Sequence, residues 1–293
     1  MERLSDLYFE LSNEMRLAIL FSLREKTMNL TSIAKRIDKT TQECSRHTSR
    51  LAAFDLIQKK ADGKYSLTPY GRLTLRLLSG QLFASSNHRY FNTHTLDHLP
   101  SRIVSRIHEL NKSRFIQDIM VTFSLLEDLF KEAKEYIWMI HDQYLLQILP
   151  LGVEALKRGV RFRSIDPSSK EESRRLDAKR PGYITAEDEE YLLQCGKEGS
   201  LDVRLLEDIQ VFLYVTEKKA IVAFPLVDGS FDYKGFATDR PEGLRLYQDI
   251  FEHYWSLASK LTQEKIQETH ITRMQHHARA IETNINTWNH SGF

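Results

Sequence analysis

The sequence predicts an α+β protein with more than one domain, and three patterns carry that prediction. Apolar residues recur at helical spacing from residue 13 to residue 51, a short basic hairpin pattern follows, and a strand, helix, strand pattern begins at Tyr136. At 293 residues the chain is long enough for two folded units. We predict an N-terminal domain over 1–82, a helical linker together with the start of the second domain over 83–135, an α/β domain over 136–260 and a C-terminal amphipathic helix over 261–293.

The first two helices are marked by apolar stripes and capping residues. The first stripe consists of Met15, Ile19, Leu20 and Leu23. Asn13 is the predicted cap of this helix, and Thr31 is the predicted cap of the next. The second helix should end before a turn at Asp38-Lys39.

Residues 41–54 predict a third helix with two distinct faces. Its inner face carries Cys44, Thr48 and Leu51, and its outer face carries Gln42, Ser45, Arg46 and Ser49. Gln can bond adenine, Arg can bond guanine, and small hydroxyl groups allow close approach to base edges or phosphates. This composition favours a helix that lies in the major groove of DNA.

A basic hairpin is predicted directly after this helix. Two short strand patterns flank Asp62-Gly63, which favours a type I′ turn. Helix, turn, helix and cationic hairpin in this order are typical of a winged helix-turn-helix. Residues 1–80 hold 14 Lys and Arg against 9 Asp and Glu, whereas residues 81–293 hold 27 against 31, so the positive excess lies with this pattern.

The predicted partner is double-stranded DNA. Its predicted contacts are Thr31, Thr41, Gln42, Ser45, Arg46, Ser49, Arg50, Lys59, Lys60 and Lys64. Arg50 and the wing lysines are assigned to the phosphate backbone rather than to bases. Each polar residue taken alone could belong to a solvated helix face, but the ordered combination of elements favours DNA.

Residues 15–68 resemble the ArsR-type winged-helix family. The resemblance is carried by RLAIL, LTSIAKRI, CSRHTSRL and the following LI. One departure is Asp55, because the family commonly has glycine at the end of the recognition helix. Asp tolerates the left-handed conformation better than most residues, so the fold is still expected. The resemblance implies a transcription regulator.

The rest of the chain predicts helices followed by an α/β sheet. Thr68-Pro69 should start a helix to about residue 83, and a second helical region is predicted over 101–135. YIWMIHD, LLQILPLGVEALKRG and RFRSID form a βαβ pattern, which favours parallel strands. The later strand patterns DVRLL, QVFLYVT, KAIVAFPL and FDYKGFAT predict a mixed sheet, closed by the amphipathic helix LRLYQDIFEHYWSLASKL.

Residues 98–259 resemble the effector domain of archaeal methanogenesis-type winged-helix regulators, a relative of the phospholipase-D-like sensor domain of TrmB-type regulators. The resemblance rests on HLPSRIVSRIHELNKS, EAKEYIWMIHDQ, LKRGVRFRSIDP, FPLVDGSFDYKGFATD and IFEHYWSLA. It implies an archaeal regulator whose C-terminal domain senses a small molecule or another signal.

A bound effector is expected in the crevice at the carboxyl ends of the parallel strands. The candidate ligand contacts are His141, Asp142, Arg163, Asp166 and Tyr214. For each residue taken alone, an ordinary surface or core polar role is favoured over a ligand contact. A phospholipase-D site needs two HxK elements, but His141-Asp142-Gln143 lacks the lysine and no second element occurs. We therefore expect no enzyme, and assign no catalytic residue and no cofactor.

A metal-responsive ArsR-type repressor is the main alternative function, and a phospholipase-D-like nucleic-acid-processing enzyme is less favoured. His94 and His98 have i, i+4 spacing with Asp97 between them, as in some metal sites. The surrounding NTHTLDHLP favours a solvated loop, so no metal ligand is assigned. His276-His277 is a weaker pattern, since adjacent residues face different ways on a helix.

The C-terminal segment holds a heptad seam. Its members are Ile271, Met274, Ala278, Ile281, Ile285 and Trp288. The seam could pair with a second copy or pack on its own chain. A homodimer is favoured because winged-helix proteins commonly bind two half-sites as symmetric dimers.

The composition favours a cytoplasmic protein. Cys44 and Cys195 lie far apart without a CxxC motif, which predicts neither a disulfide nor a cysteine zinc site. MERLSDLYFE lacks the features of a signal peptide, and no stretch approaches the roughly 20 apolar residues of a membrane span. We expect no membrane partner.

Overall fold

The computed structural model describes residues 2–143, 146–168 and 183–260, and in these ranges the protein is α+β. Its contacts divide it into two compact units, with the boundary between Ser86 and Asn87. Residues 83–86 of the predicted linker thus belong to the first unit, and those from Asn87 onward belong to the second. The predicted helix over 261–293, with its heptad seam and the His276-His277 pair, lies outside the described residues.

Helices and one hairpin form the first unit. Its helices are α1 (Glu2–Leu11), α2 (Glu14–Glu25), α3 (Leu30–Arg36), α4 (Thr41–Ala53) and α5 (Pro69–Ser86), and its strands are β1 (Ile57–Lys59) and β2 (Tyr65–Leu67). Ile19, Ile33, Leu51 and Leu56 are fully buried and join these elements in one apolar core. The predicted order of helices and hairpin is present, and α1 is an additional helix that the sequence analysis did not predict.

Asparagine side chains fix the starts of α2 and α3. The Asn13 carboxamide accepts the backbone N–H of Arg16 at 3.1 Å, as predicted. The predicted cap of α3, Thr31, is wrong, because Asn29 accepts the N–H of Ser32 at 2.8 Å and the helix starts earlier. Asn is at least as good an N-cap as Thr, and Asn29 already has the extended backbone that a cap needs. Thr31 is exposed in the first turn of α3.

The hairpin closes through a different turn from the predicted type I′ turn. A type I′ turn needs positive φ at both central residues, but in this loop only Gly63 is left-handed, with φ 79°. The N–H of Gly63 donates to the Lys60 carbonyl at 3.0 Å, which indicates a type I turn followed by a left-handed glycine. The Asp62 carboxylate accepts the N–H of Lys64 at 3.1 Å and supports this local geometry.

Helix α5 begins as predicted and passes very close to the chain before the hairpin. The Thr68 hydroxyl accepts the N–H of Gly71 at 2.9 Å, and Pro69 is the first helical residue. A Cβ atom at Gly71 would lie 2.0 Å from the carbonyl oxygen of Leu56. Glycine therefore allows this backbone approach.

An eight-stranded mixed sheet is the centre of the second unit. Its strands are β3 (Arg114–Ile116), β4 (Tyr136–Ile140), β5 (Arg161–Pro167), β6 (Leu201–Leu206), β7 (Phe212–Thr216), β8 (Ala220–Ala223), β9 (Gly235–Thr238) and β10 (Ser259–Lys260), in the order β10-β6-β5-β4-β7-β8-β9-β3. Strands β4, β5 and β6 are parallel, and the other pairs are antiparallel. The predicted βαβ unit and mixed sheet are confirmed.

Helices cover both faces of this sheet. They are α6 (His88–Phe91), α7 (Ser101–Val104), α8 (Ile119–Glu132), α9 (Leu149–Lys157), α10 (Ala186–Glu198) and α11 (Pro241–Leu257). Phe130 of α8 packs on Phe162 of β5, whereas Phe251 of α11 packs on Trp138 of β4 from the other side. None of the helices in the described ranges combines the length and the apolar character of a transmembrane span.

Three predicted elements of the second unit need correction. The helical region over 101–135 is interrupted by β3, where Phe115 pairs with Phe236 of β9. Local spacing does not reveal such a distant partner. The strand predicted over FDYKGFAT begins only at Gly235, because Tyr233 is left-handed with φ 58°. Helix α11 ends at Leu257, and Ser259–Lys260 pairs with β6 instead of extending the helix.

The contact at Gly71 predicts a large difference between two glycines of α5. Gly71→Ala should lower stability by about 1–3 kcal/mol or more, because its Cβ would overlap the Leu56 backbone. Gly80→Ala should raise stability by about 0.5–1 kcal/mol, since nothing lies within 4 Å of that Cβ. Urea unfolding followed by far-UV circular dichroism tests both variants. Equal effects would contradict the close approach.

Candidate nucleic-acid interface and ligand crevice

A capping box fixes the start of α4, the predicted recognition helix. The Thr40 hydroxyl accepts the N–H of Glu43 at 3.2 Å, and the Glu43 carboxylate accepts the N–H of Thr40 at 3.1 Å. Asp38 is left-handed with φ 52° and turns the chain between α3 and α4. Asp55 is left-handed with φ 58° after α4, a conformation that Asp tolerates better than most residues.

The two faces of α4 are separated as the sequence predicts. Cys44, Thr48 and Leu51 are buried. The exposed residues include Thr41, Gln42, Ser45, Arg46 and Ser49. Arg46 is exposed and makes no ion pair within the described ranges. The exposed face therefore presents a cation, an amide and small hydroxyl groups together.

His47 is a buried polar residue of α4 that the sequence analysis missed. Its Nδ1 atom has no hydrogen-bond partner among the described residues. Burial lowers the pKa of His47, and the neighbouring Arg46 lowers it further. A neutral imidazole thus packs behind the exposed face.

Arg50 differs from the neighbouring Arg46 because it is bound within the protein. Its Nε donates to the Glu10 carboxylate at 3.2 Å, and its Nη2 donates to the other oxygen of the same carboxylate. The guanidinium also lies 5.7 Å from the ring centroid of Phe9. The sequence assigned Arg50 to DNA phosphates, but here it holds α1 against α4.

Glu10 is shared between two arginines. The Nε of Arg16 lies 3.1 Å from the Glu10 carboxylate and donates to the Glu10 carbonyl oxygen at 2.6 Å. Arg16 also donates to the carbonyl oxygen of Phe9 at 2.8 Å. These contacts satisfy carbonyl groups at the end of α1. One carboxylate thus connects α1, α2 and α4.

The lysines of the hairpin are exposed, but they are not equivalent. The Nζ of Lys64 lies 3.1 Å from the Asp62 carboxylate, and the Nζ of Lys59 lies 6.0 Å from the ring centroid of Tyr65. Lys60 makes neither an ion pair nor a contact with an aromatic ring in the described chain. Tyr65 also exchanges two backbone hydrogen bonds with Met28, at 2.8 and 3.1 Å, which anchors the hairpin to the segment before α3.

The carboxyl ends of β4, β5 and β6 form one side of an open crevice of about 440 Å³ in the second unit. It is lined by Asp142, Gln143, Pro167, Glu207, Ile209, Gly229, Ser230, Phe231 and Tyr233. This is the predicted place for a ligand in a sheet with parallel strands. Of the predicted ligand residues, Asp142 lines the crevice directly.

Three other predicted ligand residues lie in one partly buried polar cluster. The Nε2 of His141 is 3.4 Å from the Asp166 carboxylate, and its Nδ1 is 3.5 Å from the hydroxyl of Tyr214. Burial raises the pKa of Tyr214 well above its ordinary value, so its hydroxyl stays protonated. The cluster joins β5 and β7 to the residue that follows β4.

Asp142 is held by groups that the sequence analysis did not identify. The Tyr233 hydroxyl donates to the Asp142 carboxylate at 2.9 Å, and Gln143 donates to the same hydroxyl. Burial raises the pKa of Asp142, while the Tyr233 hydrogen bond opposes that rise. Tyr233 lies far along the chain from Asp142, so no local pattern signals the pair.

The prediction that Arg163 contacts a ligand in the crevice is wrong. Its guanidinium lies 4.2 Å from the ring centroid of Trp255 and 4.9 Å from that of Trp138, and it is paired with Glu252 of α11. Side chains alternate between the faces of a strand, so Arg163 and Asp166 point to opposite faces of β5. Arg163 instead packs under α11.

His94, the first residue of the i, i+4 histidine pair, is buried, so the predicted solvated loop is wrong at this residue. Its ring stacks on Tyr90 with 3.7 Å between centroids, and its Nε2 lies 3.1 Å from the Asp232 carboxylate. Its Nδ1 lies 2.9 Å from the Tyr90 carbonyl oxygen. Both ring nitrogens are thus engaged in structural contacts. No group of three or more His, Cys, Asp or Glu that could hold a metal occurs in the described part of the chain.

No protein-family profile and no curated protein sequence matches the chain. Among solved structures it is similar to TrmBL2, an archaeal chromatin protein, with 14% identity, a TM-score of 0.40, and coverage of 85% of this chain and 94% of that one. It is also similar to NucT from Helicobacter pylori, with 11% identity, a TM-score of 0.35, and coverage of 51% and 99%. The amino-demethyl-riboflavin dimethyltransferase RosA from Streptomyces davawensis matches with 12% identity, a TM-score of 0.23, and coverage of 70% and 66%. Similarities this distant do not assign the chain to a family.

Proposed function

We propose that this protein is a DNA-binding transcription regulator whose first unit reads the major groove. The observation that carries the proposal is the exposed polar face of α4, which presents Arg46 next to Gln42. A helix held by a capping box and backed by an apolar core can present such side chains in a fixed register. The cationic hairpin follows α4 directly in the chain.

The two groups of side chains have different roles in this proposal. Gln42 and Arg46 read base edges, because amide and guanidinium groups match adenine and guanine. Lys59, Lys60 and Lys64 hold phosphates, which contribute affinity without sequence preference. The exposed hydroxyl groups of α3 and α4 are assigned to close contacts with the DNA backbone or base edges. They belong to Thr31, Thr41, Ser45 and Ser49.

Substitution of one residue from each group tests this division. Arg46→Ala should weaken binding. At one position of the DNA site, the free-energy difference between the preferred base and the other bases should fall by about 1–3 kcal/mol. Lys60→Ala should weaken binding to all sequences alike and lower the slope of log affinity against log salt by about 0.9. Selection of bound duplexes from a random pool, followed by salt titrations, measures both. Unchanged binding by both variants would contradict the proposal.

We also propose that the protein is a homodimer, supported by an apolar surface of the first unit. Leu4 and Tyr8 of α1 and Leu73 and Leu77 of α5 are exposed. The side-chain amide of Gln81 in α5 donates to the Tyr8 hydroxyl at 2.8 Å, so the two helices lie side by side. A two-fold axis through this surface would bring the same residues of a second copy against it.

A charge placed on this surface should disrupt the dimer. Leu77 is 70% exposed, so Leu77→Glu should leave the fold intact and yield particles near the chain mass of 34.3 kDa. Val227 of the second unit is 75% exposed, and Val227→Glu is the matched control. Light scattering after gel filtration measures the mass. A dimeric Leu77→Glu variant would exclude this surface as the dimer contact.

We propose that the crevice of the second unit binds a small-molecule effector. Its support is the polar cluster at the strand ends, where Asp142 and Tyr233 line the opening and His141, Asp166 and Tyr214 lie together as a cluster. Binding there would change the DNA affinity of the first unit if the ligand prefers one arrangement of the protein.

A tryptophan that fills the crevice tests ligand binding even while the ligand is unidentified. Ser230→Trp should abolish the thermal stabilisation that a soluble metabolite gives the wild type, because Ser230 lines the crevice. Val227→Trp, at an exposed residue outside the lining, should retain it. A metabolite that stabilises both variants equally binds elsewhere, and a broad metabolite panel without any stabilising compound would count against the sensor role.

The two alternative functions have weaker support. A metal-responsive repressor would need His94 to leave its bonds to Asp232 and Tyr90, and a thermal shift with zinc, nickel or copper would favour it. A phospholipase-D-type enzyme would need a lysine two residues after His141, where the chain has Gln143. We therefore propose that the protein is not an enzyme, and hydrolysis of single-stranded DNA in a nuclease assay would contradict this.

A further inference from the structure

The exposed side of α4 carries two arginines, and one of them is bound within the protein. Arg46 and Arg50 are i, i+4 neighbours, so their side chains lie on the same side of the helix. Arg46 has no ion pair in the described chain. Arg50 is bound to both oxygens of the Glu10 carboxylate.

The contact between Arg50 and Glu10 should be difficult to exchange for a phosphate. The side chain of Glu10 is only 8% exposed, whereas that of Arg50 is 46% exposed. A buried carboxylate gains more from a charge-assisted, two-point hydrogen bond than an exposed one does. If Arg50 moved to a phosphate, Glu10 would keep Arg16 as a partner but would lose both of these bonds. The Phe9 ring next to the guanidinium adds a further favourable contact.

We infer that Glu10 sets the DNA specificity of this protein by withholding Arg50 from the phosphate backbone. The inference rests on the proposed DNA-binding function of the first unit. A cation that reaches phosphates adds affinity for every sequence alike, and so lowers the ratio of specific to non-specific binding. Sequestration of Arg50 leaves Arg46 as the cation of this face that contacts DNA. Glu10 thereby acts as a specificity residue although it does not touch DNA.

The substitution Glu10→Gln removes the charge of this side chain but keeps its size and shape. Glu10→Gln keeps an oxygen that can accept from Arg16, and Arg16 retains its bonds to the carbonyl oxygens of residues 9 and 10. The neutral amide binds a guanidinium less strongly than a carboxylate does. Arg50 would then be free to make one more phosphate contact. One such contact steepens the slope of log affinity against log salt by about 0.9, which is about an 8-fold gain at 0.1 M salt.

The test uses the full chain and a fluorescein-labelled 30-base-pair duplex of random sequence, with binding measured by anisotropy over a salt series. Glu10→Gln should bind about 8-fold more tightly than the wild type at 0.1 M salt, with a slope steeper by about 0.9. Arg50→Met should match the wild type in both quantities. The double variant Glu10→Gln/Arg50→Met should also match the wild type, because the gain depends on Arg50.

Each other result would overturn the inference. A Glu10→Gln variant with wild-type or weaker binding would show that the Glu10 carboxylate does not keep Arg50 from the phosphate backbone. A shallower slope for Arg50→Met would show that Arg50 already contacts phosphates in the wild type, and this arm remains decisive if Glu10→Gln fails to fold. If neither the wild type nor any variant binds the duplex, the proposed DNA-binding function itself fails. That outcome differs from a wild type that binds the duplex with Arg50 on a phosphate, which overturns only the inference about Glu10.

Discussion

The arrangement of the first unit depends on one buried carboxylate. Glu10 accepts bonds from Arg16 of α2 and Arg50 of α4, so three helices are fixed relative to one another by a single anion. Removal of one partner from such a cluster leaves a desolvated charge, which commonly costs several kcal/mol. An interaction at the end of α1 thus helps to hold in place the helix that carries the proposed DNA contacts. The capping box of α4 fixes the opposite end of the same helix.

Strand topology determines where the polar residues of the second unit lie. Parallel strands β4, β5 and β6 end at the same edge of the sheet, so residues distant in sequence meet there. Alternation along β5 sends Asp166 towards the crevice side and Arg163 under α11. The two arginines beneath α11, Arg163 and Arg204, stack on Trp255 and are part of the packing of that layer. The lining of the crevice therefore contains the carboxylates Asp142 and Glu207 but not Arg163.

Periodicity and capping motifs predicted the elements whose determinants are local. The faces of α4, the start of α5 and the left-handed Asp55 follow from residues within one or two turns. The contact between Arg50 and Glu10 joins residues that are 40 apart in the chain. The Tyr233 contact to Asp142 and the pairing of β3 with β9 join residues that are still farther apart. A single sequence carries no signal for such pairs, and the cap at Asn29 was missed because Thr31 is also an acceptable capping residue.

In the proposed function, α4 and the hairpin form the DNA-binding surface. Amide chemical-shift mapping of the isotope-labelled full chain with a short random duplex shows which residues contact DNA. We expect the largest shifts on residues 41–50 and 59–64, with smaller shifts at the start of α3. Shifts confined to residues beyond Asn87, or no shifts in α4 at saturating DNA, would contradict the proposed function.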